Sequence, residues 1–239
     1  MGYVVSLWVG WSSRAPALSA SCAKKPVTDS ISSILRKFWR FGWPLSLWFA
    51  GQLLLPLIDR TLIANQLGLR ATGNYAALSD ILTRCFSLAV FPLIQAIYPR
   101  LTKLAEQENR SGVRSLLRRA ALLLLFAGLV SLPVLYHLRD WVVGMALPSP
   151  GILYTDLVLP LALGGFIWHV ALLVHKPLEL ATRTRHMLAA MIVAVVVKTL
   201  LTWTWLPQWG MQGAAVATLV AGVVYCFICL VMIKGGKSH

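Results

Sequence analysis

A helix rises about 1.5 Å per residue, so roughly 20 apolar residues cover a hydrocarbon core of about 30 Å. Six stretches of that length follow one another after residue 40, at 41–63, 76–98, 120–138, 152–174, 187–206 and 211–233. Inside lipid every backbone N–H and C=O must be satisfied within the segment, so runs of this length and composition can only be helices. The expected fold is an all-α integral membrane protein, a six-transmembrane-helix bundle over 41–233. Residues 1–11 read as the remnant of a preceding membrane span, 12–40 as a basic cytoplasmic linker and 234–239 as a cytoplasmic tail.

The spans use about half of the 239 residues, and the loops are too short for a sizeable extramembrane domain. A net charge of +14 would point to nucleic acid in a soluble protein. Here only 13% of residues are charged and the cations fall in loops, so lipid topology accounts for them and no nucleic-acid partner is expected. With the first span starting in the cytoplasm, seventeen of the 22 Lys and Arg lie inside, and Arg60, Arg70 and Arg139 lie outside. The positive-inside rule then places both termini in the cytoplasm.

Residues 31–40 mix Ile31, Ile34, Leu35 and Phe38 with Arg36, Lys37 and Arg40. That pattern fits either a helix lying along the inner membrane surface or a solvated linker.

The residues that interrupt the spans carry the functional signal, because a charge inside a bilayer is costly unless it is paired or hydrated. Arg84 lies eight residues past the outer start of the second span, and Lys198 eight before the outer end of the fifth, each roughly 12 Å deep. Two cations at one level can line a cavity for an anionic group such as a diphosphate. Asp80 offers Arg84 a local partner at i,i+4, whereas Lys198 has no acid within one turn of its helix. Asp59 and Arg60, in the last turn of the first span, either pair across helices, hold a gate or simply mark the span's end.

His169 reads either as a proton-coupling group or as a hydrogen-bonded packing residue; Glu179 and Asp156 are interfacial and carry little weight. Cys226 and Cys229 form a Cys-x-x-Cys inside an apolar helix with no other ligand nearby, so no metal site is expected. Pro56, Pro92, Pro133 and Pro160 interrupt the spans, as in helices that kink to open and close. Trp43, Trp48, Trp141, Trp203, Trp205 and Trp209 fall mostly near span ends, as an interfacial belt would place them. No catalytic constellation or cofactor motif occurs, and an enzyme is not expected.

Several short patterns, in order, resemble the polysaccharide exporters of the flippase superfamily that also contains lipid II flippases and multidrug antiporters. They are Phe41-Gly-Trp-Pro44, Asp59-Arg60, and Leu67-Gly68 through Gly73-Asn74-Tyr75-Ala76 in the first outer loop. Tyr98-Pro99-Arg100-Leu101, Leu206-Pro207, Gly210, Gly213-Ala214-Ala215 and Ala217-Thr218 continue the series.

The resemblance covers residues 36 to 233 and implies one lobe, the C-terminal one, of a two-lobe flippase in a bacterial inner membrane. It implies export of a lipid-linked oligosaccharide by alternating access, with Arg84 and Lys198 facing the cavity. The partner is then either a missing N-terminal lobe, of which Tyr3–Val9 would be the tail, or a second copy in a homodimer. A small-molecule antiporter of the same superfamily, a non-transporting scaffold subunit and an inactive fragment remain alternatives.

Overall fold

The computed structural model describes residues 31–147 and 152–235. The readings of 1–11 as a span remnant, of 12–30 as linker and of 236–239 as tail lie outside the described residues. Among the described residues the chain is helical without a strand, and six helices are long and apolar enough to cross a membrane. The protein is an all-α membrane bundle.

The helices are α1 (Ile31–Leu67), α2 (Leu69–Glu106), α3 (Arg110–His137), α4 (Arg139–Ala146), α5 (Ile152–Thr155), α6 (Val158–Val174), α7 (Lys176–Leu180), α8 (Thr184–Trp209) and α9 (Met211–Gly235). By contacts the chain divides at Arg40 into two units. The described part of the first, residues 31–40, is helical and exposes Ile31, Leu35, Phe38 and Trp39. Those ten residues open α1. The bundle and the site belong to the second unit.

Two boundaries differ from expectation in ways that matter for the site. The first membrane helix does not end at residue 63 but runs to Leu67, and α2 begins at Leu69 rather than at 76. Gly73-Asn74-Tyr75 is thus helix, not outer loop. One residue makes the whole turn: Gly68 takes φ 87°, a left-handed region that a side chain disfavours. Gly210, at φ 58°, does the same between α8 and α9. Pro56, Pro92 and Pro133 lie inside long helices, and Pro160 sits in the first turn of α6, where a missing N–H costs little.

The fourth span is the centre of the bundle. Half of its apolar window is buried within the protein, against 17% to 33% for the other five, so they surround it. Small residues allow this, as is usual where lipid supplies no hydrophobic drive and close backbone approach must. Gly128 of α3 lies under the ring of Phe166, and Gly164 faces Thr218 and Leu219 of α9. Gly165 faces Phe86 and Thr83 of α2. Helix α6 packs against α2, α3 and α9, and α8 packs along α9, most closely where Gly213 meets Trp205; alanines 214, 215, 217 and 221 of α9 are buried.

Helix α1 is joined differently, with few close backbone approaches. Pro44, Trp48, Leu55, Asp59 and Ile63 are its buried residues, and with Gln52 they recur every three or four positions on one face. That stripe carries polar side chains as well as apolar ones. They position the site.

Candidate functional site: a polar cavity beside a buried ion pair

Asp59 lies eight residues before the end of α1 and is 4% exposed. It is not an end-of-span marker. Its Oδ2 accepts from Lys198 Nζ of α8 at 2.9 Å, from Tyr75 OH of α2 at 3.1 Å and from Thr218 Oγ1 of α9 at 3.3 Å. Thr202 Oγ1 of α8 reaches Oδ1 at 3.5 Å. One carboxylate therefore ties four helices together. Lys198, 2% exposed, has its charge met by that carboxylate. A buried pair survives only where further hydrogen bonds satisfy the carboxylate's lone pairs, and here hydroxyls do so.

The neighbouring residue makes a second bridge. Arg60 Nη2 donates to Asp80 Oδ1 at 2.7 Å, with both side chains a little over 40% exposed. The expected i,i+4 pair between Asp80 and Arg84 does not form, because Asp80 turns across the helix interface to α1. Among the described residues Arg84 makes no ion pair. That follows from helix geometry: Asp59 and Arg60 are 100° apart around α1, so they reach different neighbours.

Between these bridges lies a cavity of about 310 Å³. Each wall is one helical face. Ser79, Asp80, Thr83 and Arg84 come from α2, and Gln52, Leu55 and Pro56 from α1. Leu161, Gly164, Gly165 and Trp168 come from α6, Lys198 from α8, and Thr218 and Ala221 from α9. The two cations singled out by depth do meet at this cavity. Their electrostatics differ, since Lys198 is neutralised by Asp59 while Arg84 has no ion-pair partner among the described residues.

Gln52 is the other notable wall residue. Trp168 Nε1–H donates to Gln52 Oε1 at 2.6 Å. Because an indole can only donate, the amide oxygen must face it. The amide nitrogen, Nε2, is left buried with no partner among the described residues.

His169 lies on α6 but not in the cavity wall. Its Nδ1–H donates to Gly165 O at 2.7 Å, and Nε2 stands 3.0 Å from Ser87 Oγ of α2, with Phe86 and Phe91 around the ring. Both ring nitrogens are thus occupied. A second polar network crosses the opposite end of the bundle. Trp48 Nε1–H donates to Tyr225 OH at 2.9 Å, and Tyr225 OH lies 3.3 Å from His175 Nδ1. Glu179 accepts from Lys176 Nζ at 2.6 Å and from Tyr98 OH at 3.1 Å, with His175 Nε2 at 3.8 Å.

Two sequence readings change here. Trp48 is a buried hydrogen-bond donor and not part of an interfacial belt, and Glu179 is a network member and not an idle interfacial acid. Cys229 is buried in the adjoining apolar cluster and Cys226 half-buried. Among the described residues no group of three His, Cys, Asp or Glu could hold a metal ion.

Gln52, Trp168 and Thr202 belong to the site and have no place in the sequence reading, and Tyr75 and Thr218 enter it only within motifs, without a role at the site. Their signal was weak but present: each is a polar-tipped residue within an apolar run, and hydroxyl-bearing and amide side chains in membrane helices tend to bond across helices. No family model, curated protein or solved structure matches the chain.

Proposed function

We propose that this protein moves a lipid-linked oligosaccharide across the bacterial cytoplasmic membrane by alternating access, as one lobe of the exporter type that its motifs resemble. A second six-helix lobe, from the same polypeptide or from a second copy, completes the path. Both termini face the cytoplasm on the charge asymmetry of the loops. Arg84 receives the diphosphate that joins lipid to glycan.

The observation that carries this reading is the state of Arg84. It lines a cavity between membrane helices, and the acid four residues before it is held by Arg60 at 2.7 Å. An intramembrane cation without a protein partner is costly, and an anionic substrate offsets that cost. A guanidinium also matches phosphate oxygens in a two-pronged geometry that no other side chain supplies. A cation antiporter needs the opposite arrangement, an acid free to take the substrate. Asp59 and Asp80, the acids at this site, are both paired to cations.

The test is reconstitution in lipid vesicles with a fluorescent, short-chain polyprenyl-diphosphate saccharide. A membrane-impermeant reductant destroys the label in the outer leaflet only. Transport makes the protected half accessible, and Arg84→Gln slows that access about tenfold or more. Protection equal to that of protein-free vesicles counts against transport by this chain, and an unaffected Arg84→Gln rate removes Arg84 from the pathway.

A further inference from the structure

Residues 31–40, the part of α1 that belongs to the first unit, carry an apolar face left largely uncovered. We infer that this face docks on anionic phospholipid of the cytoplasmic leaflet. The surface acts independently of whatever the cavity carries.

At 100° per residue the ten positions sort into two arcs. Ile31, Leu35, Phe38 and Trp39 fall at about 0°, 40°, −20° and 80°, an apolar arc about 100° wide. They are 63% to 77% exposed, among the least covered apolar residues of the described chain. Ser32, Arg36 and Arg40 follow at four-residue spacing along the adjoining flank. No acid occurs from Ser30 to Ile58, and neither Arg36 nor Arg40 makes an ion pair among the described residues. An apolar arc with Phe and Trp beside a cationic one is the pattern of a helix lying in the headgroup plane.

Length limits where that face can go. Helix α1 has 37 residues and is about 55 Å long, against a hydrocarbon core of about 30 Å. Residues 41–67 alone supply about 40 Å, so the core has no room for 31–40 as well. Held upright in the cytoplasm, the ten residues would keep four large apolar side chains in water. Laid along the surface, they bury those side chains at the acyl boundary. The backbone permits the turn. Pro44 has no N–H for the carbonyl of Arg40, so the helix ladder is interrupted where the two units divide. A Cβ on Gly42 would meet nothing within 4 Å.

Charge and attachment select the occupant. A second copy brings the same cations, and the whole chain has eight acids against 22 Lys and Arg. Residues 1–30 hold one acid, Asp29, against Arg14, Lys24 and Lys25. A soluble acidic partner would compete with a bilayer to which the same helix is already attached, and attachment keeps headgroups at high effective concentration. Arg36 sits on the flank of the apolar arc, where a long side chain reaches headgroup phosphate while its stem stays on apolar surface. Its guanidinium can take two phosphate oxygens at once. A leaflet of net negative charge adds an attraction that a zwitterionic one lacks.

The test is backbone amide exchange of the full chain in lipid nanodiscs. One set is pure phosphatidylcholine, and the other mixes it equally with phosphatidylglycerol. Peptides covering 31–40 exchange about tenfold or more slowly in the anionic discs, and added salt removes the difference. Arg36→Glu with Arg40→Glu returns them to the rate in neutral discs. Phe38→Ser with Trp39→Ser, which keeps both arginines, also raises the rate. Peptides from α8 report the fold and exchange alike in every variant. Should a variant disturb α8, the wild-type comparison of discs and salt decides alone. Equal rates in the two discs overturn anionic docking. Slow exchange that survives both double variants overturns it too. So does slow exchange already present in detergent without phospholipid, since protein then covers the face.

Discussion

The ammonium of Lys198 sits 2.9 Å from Oδ2 of Asp59, across 139 residues of sequence, with both side chains almost fully enclosed by protein. Removing one partner leaves the other as an uncompensated buried charge, whereas removing both leaves only a packing defect. We expect Lys198→Met to cost about 3–5 kcal/mol. The double variant Asp59→Asn, Lys198→Met should recover a large part of it. Thermal unfolding in detergent checks both. Equal destabilisation of the single and double variants would show that the unpaired Asp59 carboxylate carries no cost of its own.

Arg60 behaves differently from Lys198. Its bridge to Asp80 is more than 40% exposed at both ends, so Arg60→Gln should change stability by less than about 1 kcal/mol. The same substitution releases Asp80 to pair with Arg84 one turn later, at a spacing that favours an acid–base pair. Affinity for farnesyl diphosphate should therefore fall, by at least about twofold. Arg60 is a positioning residue on this account, and an unchanged affinity would refute it.

Close packing of α8 on α9 sets a sharp contrast between two glycines. A Cβ on Gly213 would stand 2.6 Å from the carbonyl oxygen of Trp205, which is backbone and cannot swing aside. Gly213→Ala should cost about 1–3 kcal/mol through forced separation of the two helices. Gly165→Ala meets only ordinary contacts and gains helix propensity, so it should be neutral or stabilising by up to about 1 kcal/mol. Melting midpoints of the two variants should move in different directions or by clearly different amounts.

Tyr225 both accepts from Trp48 and faces His175, so its hydroxyl serves two buried neighbours. Tyr225→Phe orphans the buried indole N–H, takes a polar neighbour from the imidazole and should cost about 2 kcal/mol. His175→Leu removes one of the two contacts and the ring's polarity at once, so it should cost less than Tyr225→Phe. Chemical unfolding of the two variants orders them, and the reverse order would assign the dominant role to His175.

How much of this was legible depended on distance along the chain. Helix number, the apolar stripes and the turn at Gly210 follow from local rules, since a 3.6-residue repeat and a residue without Cβ act within a few positions. The turn at Gly68 is narrower than the local sequence suggests. Asn74 and Tyr75 are polar enough to suggest a loop, yet both complete a helix by bonding elsewhere, to Tyr154 and Asp59. Trp48 departs from its sequence expectation for a similar reason: an indole suits a membrane interface equally well, and only the fold supplies the buried acceptor, Tyr225. Asp80 and Arg84 looked like a local pair because only the local partner was visible.

What the sequence determined by itself was the class of environment and its demand. Six runs of about 20 apolar residues require a lipid setting and helices, and Arg84, Asp59, Asp80 and Lys198 within or near them each require a counter-charge or a ligand. Which demand is met by protein was decided only by tertiary structure. A charge pair forms or fails over a few ångströms, and that spacing depends on the register and rotation of helices far apart in sequence. By that register Asp59 met Lys198, Arg60 met Asp80, and Arg84 was left at the cavity wall with no counter-charge among the described residues.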